Sequence, residues 1–187
     1  MSTPLKVVAV NGSAHQPSRT LVLIQALLAE LDQRLVLDTQ IVDLSGMARP
    51  LGAALTRQEL PADIEAQVAA IESADLLIAA APVYRGSFPG HFKHLFDLVG
   101  MDALIDKPVL LAATGGSDRH ALVLEHQLRP LFSFLQALTL PVGVYASTAD
   151  FDGYQVGSQA LATRIALAAE RATPLFAASA RQLRRVA

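Results

Sequence analysis

Five strand-like runs, each followed by a helical pattern, constrain this chain more than any other feature. Leu5–Val10, Asp75–Ala81 and Pro108–Ala113 are apolar at nearly every position, without the alternation of a strand that has one wet face. Val36–Val42 and Leu140–Ala146 complete the set. Between them, Ser18 precedes Leu21, Ile24, Leu27, Leu28, Leu31 and Leu35, a capped amphipathic helix. Ile64, Val68 and Ile71 share one face of a helix over Asp63–Ser73, and Phe88, Phe92, Leu95, Phe96 and Val99 mark the next. A long helix is expected from about His120 to Leu138 and a closing one from Ser158 to about Ala178. Gly46–Pro61, rich in turn residues, reads as a connection.

Strands buried on both faces and joined by crossover helices form a parallel sheet between two helical layers. The expected fold is therefore an α/β three-layer sandwich, with a five-stranded parallel sheet in the flavodoxin-like order 2-1-3-4-5. The 187 residues suit one domain over 1–187, with about 179–187, including the basic Arg181-Gln182-Leu183-Arg184-Arg185, as a frayed tail.

Composition narrows the function classes. Hydrophobic residues make up 52% before glycine is counted, against about 45–50% with glycine in ordinary chains, so apolar surface is left for subunit contacts. A net charge of -2 offers no electrostatic ground for binding nucleic acid or an anionic membrane. The absence of cysteine excludes disulfides, thiol chemistry and thiolate metal sites. His91 and His94 stand i, i+3 with only Asp97 nearby, so no metal is expected. The opening residues lack a signal-peptide pattern, and no uncharged apolar run approaches about 18 residues, which points to a cytoplasmic protein.

In an open parallel sheet, ligands bind beyond the carboxyl ends of the strands, where strand order reverses. The loops after strands one, three and four meet there. The first, Asn11–Thr20, leads into a helix N-terminus, whose free N–H groups and dipole attract phosphate, and Ser13, Ser18, Arg19 and Thr20 add hydroxyls and a charge. It has neither G-x-G-x-x-G nor G-K-[ST], so it suits a monophosphate that is held and not cleaved. The second, Pro82–Gly90 with Pro82, Val83, Tyr84, Arg85 and Gly86 at its start, offers an aromatic wall for a flat ring, with the Arg85 charge nearby. The third, Thr114-Gly115-Gly116-Ser117, lets backbone N–H groups approach the polar edge of such a ring.

Gly12-Ser13 with Ser18-Arg19-Thr20, then Pro82-Val83-Tyr84, then Ala113-Thr114-Gly115-Gly116, resembles the NAD(P)H-dependent FMN reductases of flavodoxin-like fold. The likeness is greatest to the reductase components of bacterial alkanesulfonate and methanesulfonate monooxygenases. It implies hydride transfer from NADH or NADPH to FMN, with NADH favoured. It also implies delivery of reduced FMN to a separate FMNH2-dependent monooxygenase, and a homotetramer or homodimer. A quinone or azo reductase that keeps its FMN, and a flavodoxin-like electron carrier, are the rival readings.

The helix near His120 carries an irregularity. Leu124, Leu128, Leu131, Leu135 and Leu138 form a packing stripe, while Phe132 and Phe134 lie off it, which favours a subunit interface over 120–138. Pro130 cannot donate to the carbonyl of His126 and crowds it, so a π-bulge is expected within Leu124–Pro130. The resembled reductases carry a one-residue insertion there, usually tyrosine, near the flavin. His126 falls at that position, which implies a modulating role at the flavin site.

Overall fold

The computed structural model describes residues 3–183. In chain order the elements are β1 (Leu5–Asn11), α1 (Arg19–Asp32), β2 (Leu37–Asp43), α2 (Leu44–Ala53), α3 (Ala62–Glu72), β3 (Leu76–Pro82), α4 (Gly90–Asp97) and β4 (Pro108–Gly115). A π-helix (Leu124–Leu128), α5 (Arg129–Phe134), β5 (Leu138–Thr139), β6 (Val144–Ser147), β7 (Phe151–Asp152), β8 (Gln155–Val156) and α6 (Gln159–Leu183) follow. The main sheet has the order β2-β1-β3-β4-β5, with β6 also paired to β4, and every pairing in it is parallel.

The near-continuous apolar strands sort their side chains by parity. Val8, Val10, Leu77, Ala79, Val109 and Leu111 face one core with α2, α3, α4 and α5. Val7, Ala9, Leu76, Ile78, Leu110 and Ala112 face the other, packed on α1 and α6. The central strands β1, β3 and β4 thus bury both faces, as a sheet enclosed by two helical layers requires, while the edge strand β2 is only partly covered. Among the described residues, no helix is long and apolar enough to cross a membrane.

Four expectations need correction. Most of the first half of the Gly46–Pro61 connection is taken up by α2, in which Leu44, Met47 and Leu51 are buried at helical spacing despite Gly46 and Pro50. The fifth strand is cut in two around Pro141, whose ring removes a ladder donor. Helix α6 continues to Leu183, beyond the expected end near Ala178, so of the expected tail only 184–187 lie outside the described residues. The segment 120–138 is not one long helix: α5 stops at Phe134, and Gln136 takes a left-handed φ of 57°.

Within that segment the π-turn lies inside the expected window. The Arg129 N–H donates to the Leu124 carbonyl, an i to i+5 bond, immediately before Pro130. The extra residue in this turn relieves the crowding that the proline ring would impose on a regular helix. Arg129 then ties the turn down: its Nε donates to Glu125 Oε2 at 2.6 Å and its Nη1 to the Leu140 carbonyl at 3.1 Å.

Candidate functional site

The site begins where β1 ends. The Gly12 N–H donates to the Ala80 carbonyl at 2.8 Å, and a Cβ on Gly12 would lie 2.7 Å from the Phe92 ring and 3.0 Å from that same carbonyl. Only glycine lets the first loop leave the sheet pressed against β3 and α4. Beyond it, Asn11 Oδ1 accepts from the Ser13 N–H, and the Asn11 amide donates to Asp43 Oδ1 at 2.9 Å. Asp43 also takes a bond from the Gln16 amide at 3.0 Å. One carboxylate at the end of β2 therefore braces the start and the middle of the loop.

At the start of α1, Ser18 is the N-cap: its Oγ accepts from the Leu21 N–H at 3.2 Å, which leaves its own proton to donate outward. The Arg19 and Thr20 N–H groups have no hydrogen-bond partner among the described residues, the usual state of a first helical turn. Ser13 is less available than its residue type suggests, because its hydroxyl donates to the His15 carbonyl at 3.0 Å.

The other two loops are fastened to the first. Thr20 and Thr114 hydroxyls meet at 2.6 Å, both buried. The Val83 N–H donates to the Thr114 carbonyl at 2.7 Å. Tyr84 closes a tight turn with Ser87 through two backbone bonds, across Arg85 and Gly86 at φ 54° and 89°. Tyr84 is 42% exposed, so its ring is open to a ligand.

Ser13, Ser18, Arg19, Thr20, Pro82, Val83, Tyr84, Thr114, Gly115 and Gly116 line one open cleft of about 210 Å³. Its lining includes His15 and Arg19 and no carboxylate, which suits an anionic ligand. Arg85 and Ser117 are exposed beside the cleft and are not part of its wall. His126 is exposed on the π-helix, also outside the lining, although its neighbour Gln127 accepts from Ser87 Oγ at 2.9 Å in the second loop. His94 Nε2 lies 2.8 Å from the Ala54 carbonyl, so it carries a proton and closes the end of α2.

Two groups were not singled out from the sequence. The first is Tyr145 on β6, whose hydroxyl donates to the Ser117 carbonyl at 2.5 Å and lies 2.1 Å from where a Cβ on Gly115 would sit. Burial, with Asp118 and Asp150 adding to it, pushes this phenol above its ordinary pKa, so it stays a donor. Gly115 is glycine because a tyrosine hydroxyl props the loop from beneath. The Gly116 and Ser117 N–H groups have no partner among the described residues. The second is the β7–β8 hairpin, which supplies Phe151 and Tyr154 to the wall, with Thr148 just before it. Its signal was Gly153 at the head of a two-residue turn between Phe151-Asp152 and Gln155-Val156.

Residues 5–152 match the family model described as NADPH-dependent FMN reductase. The chain is 66% identical over the full length of both chains to "NADH-dependent FMN reductase SfnF" of Pseudomonas fluorescens. It is 64% identical to "FMN reductase (NADPH)" of Pseudomonas aeruginosa, covering 94% of this chain and 95% of that one. Its fold superposes on the X-ray structure of an oxidoreductase from Corynebacterium diphtheriae with a TM-score of 0.80 at 32% identity, covering 93% of this chain and 97% of that one.

Proposed function

The chain belongs to the NADPH-dependent FMN reductase family, and from that premise we propose that it reduces FMN with a hydride from NADH or NADPH and releases the product to an FMNH2-dependent monooxygenase. The observation that carries the reading is the single cleft shared by a helix N-terminus, an exposed tyrosine and a glycine edge. These residues fit the flavin. The free N–H groups of Arg19 and Thr20, the Ser18 hydroxyl proton and the Arg19 charge would hold its phosphate. Tyr84 would flank the ring, and the Gly116 and Ser117 N–H groups would meet its polar edge.

The flavin supplies the redox chemistry when bound, accepting a hydride from the nicotinamide and a proton from water. The protein's part is to bind and orient. The Thr20–Thr114 bond and the Tyr145 strut fix the phosphate cradle and the glycine edge relative to each other. NADH is the proposed donor, in line with the fluorescens relative's name and against the aeruginosa one's.

We place the protein in the cytoplasm as a homo-oligomer, a tetramer or dimer, assembled through the segment 120–138. Leu122, Phe134 and Leu138 are 62%, 74% and 52% exposed there, more apolar surface than a solvated face carries. His126 stands in the same stretch, and its proposed influence on the flavin runs through Gln127 and Ser87.

Anaerobic stopped-flow with each nucleotide and graded FMN tests the activity. Flavin bleaching that saturates with added FMN supports free-flavin reduction. Bleaching of only a tightly held flavin, with turnover that needs an organic acceptor, supports a quinone reductase instead. No bleaching by either nucleotide leaves an electron carrier.

A further inference from the structure

Arg19 and the β7–β8 hairpin form a contact that flavin binding as such does not require. The Arg19 guanidinium lies over the Tyr154 ring, 5.5 Å from its centroid. Its Nε donates to the Gly153 carbonyl at 3.3 Å. Both Nη groups have no hydrogen-bond partner among the described residues. The hairpin is anchored at its base: Phe151 and Val156 pack on the core beside α1 and α6, and the Gly157 N–H donates to the Asp150 carbonyl at 2.9 Å. Only its tip stands free, with Gly153 at φ 59° and Tyr154 48% exposed.

We infer that Tyr154 and Arg19 form a clasp over the outer side of the phosphate cradle that selects a flavin monophosphate against a flavin dinucleotide. This rests on the proposed FMN site. A phosphate seated on the first turn of α1 directs its remaining oxygens away from the helix, toward the two Nη groups. A monoester ends there as a dianion, and the planar fork of the guanidinium binds it with two donors. A dinucleotide carries a second phosphate and a nucleoside at that same oxygen, and has only one charge on the first phosphate. It must pass between the helix and the hairpin tip, which the stacked Tyr154 ring obstructs. Tyr154 thus serves twice: it holds the guanidinium in place through its ring face, and it occupies the exit.

The test is flavin fluorescence quenching on flavin-free protein, giving Kd for FMN, FAD and riboflavin with wild type, Tyr154→Ala, Tyr154→Phe and Arg19→Ala. Wild type is expected to prefer FMN to FAD by at least about tenfold. Tyr154→Ala lowers that ratio about tenfold, mostly through tighter FAD binding, and Tyr154→Phe keeps it. Arg19→Ala weakens FMN about tenfold. Riboflavin, which has no phosphate, binds all four proteins alike, which shows the ring site intact. An FMN/FAD ratio unchanged by Tyr154→Ala, or a riboflavin affinity that falls with it, overturns the clasp while leaving the FMN site standing. Failure of wild type to bind FMN at all overturns the functional reading and the clasp with it.

Discussion

Gly115→Ala tests how the glycine edge is held. The new Cβ would lie 2.1 Å from Tyr145 Oη, with Cζ and Cε2 at 3.1 and 3.4 Å. No positive φ is involved at Gly115, so the cost is steric. Either the tyrosine or the loop must move, and overpacking of this kind costs about 2 kcal/mol. Tyr145→Phe alone gives up the 2.5 Å bond to the Ser117 carbonyl, worth about 1 kcal/mol. In the double variant the clashing oxygen is gone, the nearest atom is the ring carbon at 3.1 Å, and the alanine is tolerated after a shift of a few tenths of an ångström. The double variant should therefore lie about 1–2 kcal/mol above the sum of the singles, since residues in contact couple by that order. Urea unfolding of the four proteins measures the cycle. In melting temperature the Gly115→Ala loss is roughly 4–8 °C for a chain of this size. FMN affinity should follow the same pattern, falling in Gly115→Ala and partly returning in the double variant. Additivity to within roughly 0.5 kcal/mol would show that the hydroxyl does not prop the loop.

Three other expectations follow from named contacts. Ser18→Ala removes the N-cap of α1, and should cost about 1 kcal/mol of stability while weakening FMN more than riboflavin in a titration of each. Glu72 bonds Arg57 Nη2 at 2.9 Å and the Gly100 N–H at 2.7 Å, and the Arg57 guanidinium first, then the Gly100 N–H, hold its carboxyl below the usual 4.5 despite partial burial. A depressed folded pKa contributes stability above about pH 4.5 that is lost as the pH falls through the folded value, so Glu72→Gln should flatten the acid limb of a stability–pH curve and leave wild type and variant alike at its lowest end. Phe134→Glu puts a charge on a residue 74% exposed in the isolated chain, and light scattering should show a smaller assembly, whereas an unchanged mass would move the interface elsewhere.

The parts of the fold legible in sequence were those with a strong local signature. Leu5–Val10 and Asp75–Ala81 are buried on both faces, and such runs admit little besides a central parallel strand. The three loops were legible because glycine, proline and hydroxyl residues interrupt those runs abruptly. Pro130 announced the π-turn for the same reason: a missing donor has a local cause. Other features depend on contacts distant in sequence. Nothing near Tyr145 indicates that its hydroxyl reaches the carbonyl of a residue 28 positions away. Arg19 finds its partner 134 residues on, at Gly153. Helix α2 was hidden by Gly46 and Pro50, whose turn propensity outweighed the buried Leu44, Met47 and Leu51.

The cut in the fifth strand has a consequence for what can add to the edge of the sheet. A long unbroken strand at the rim of a sheet is a template on which another chain's backbone can add. Here the rim is two short pieces, Leu138–Thr139 and Val144–Ser147. Between them, the carbonyls of Leu140 and Gly143 are already taken by Arg129 and Arg164. Two arginines reaching in from the helices thus blunt this side of the sheet. Backbone addition by another chain is thereby disfavoured on this side of the sheet.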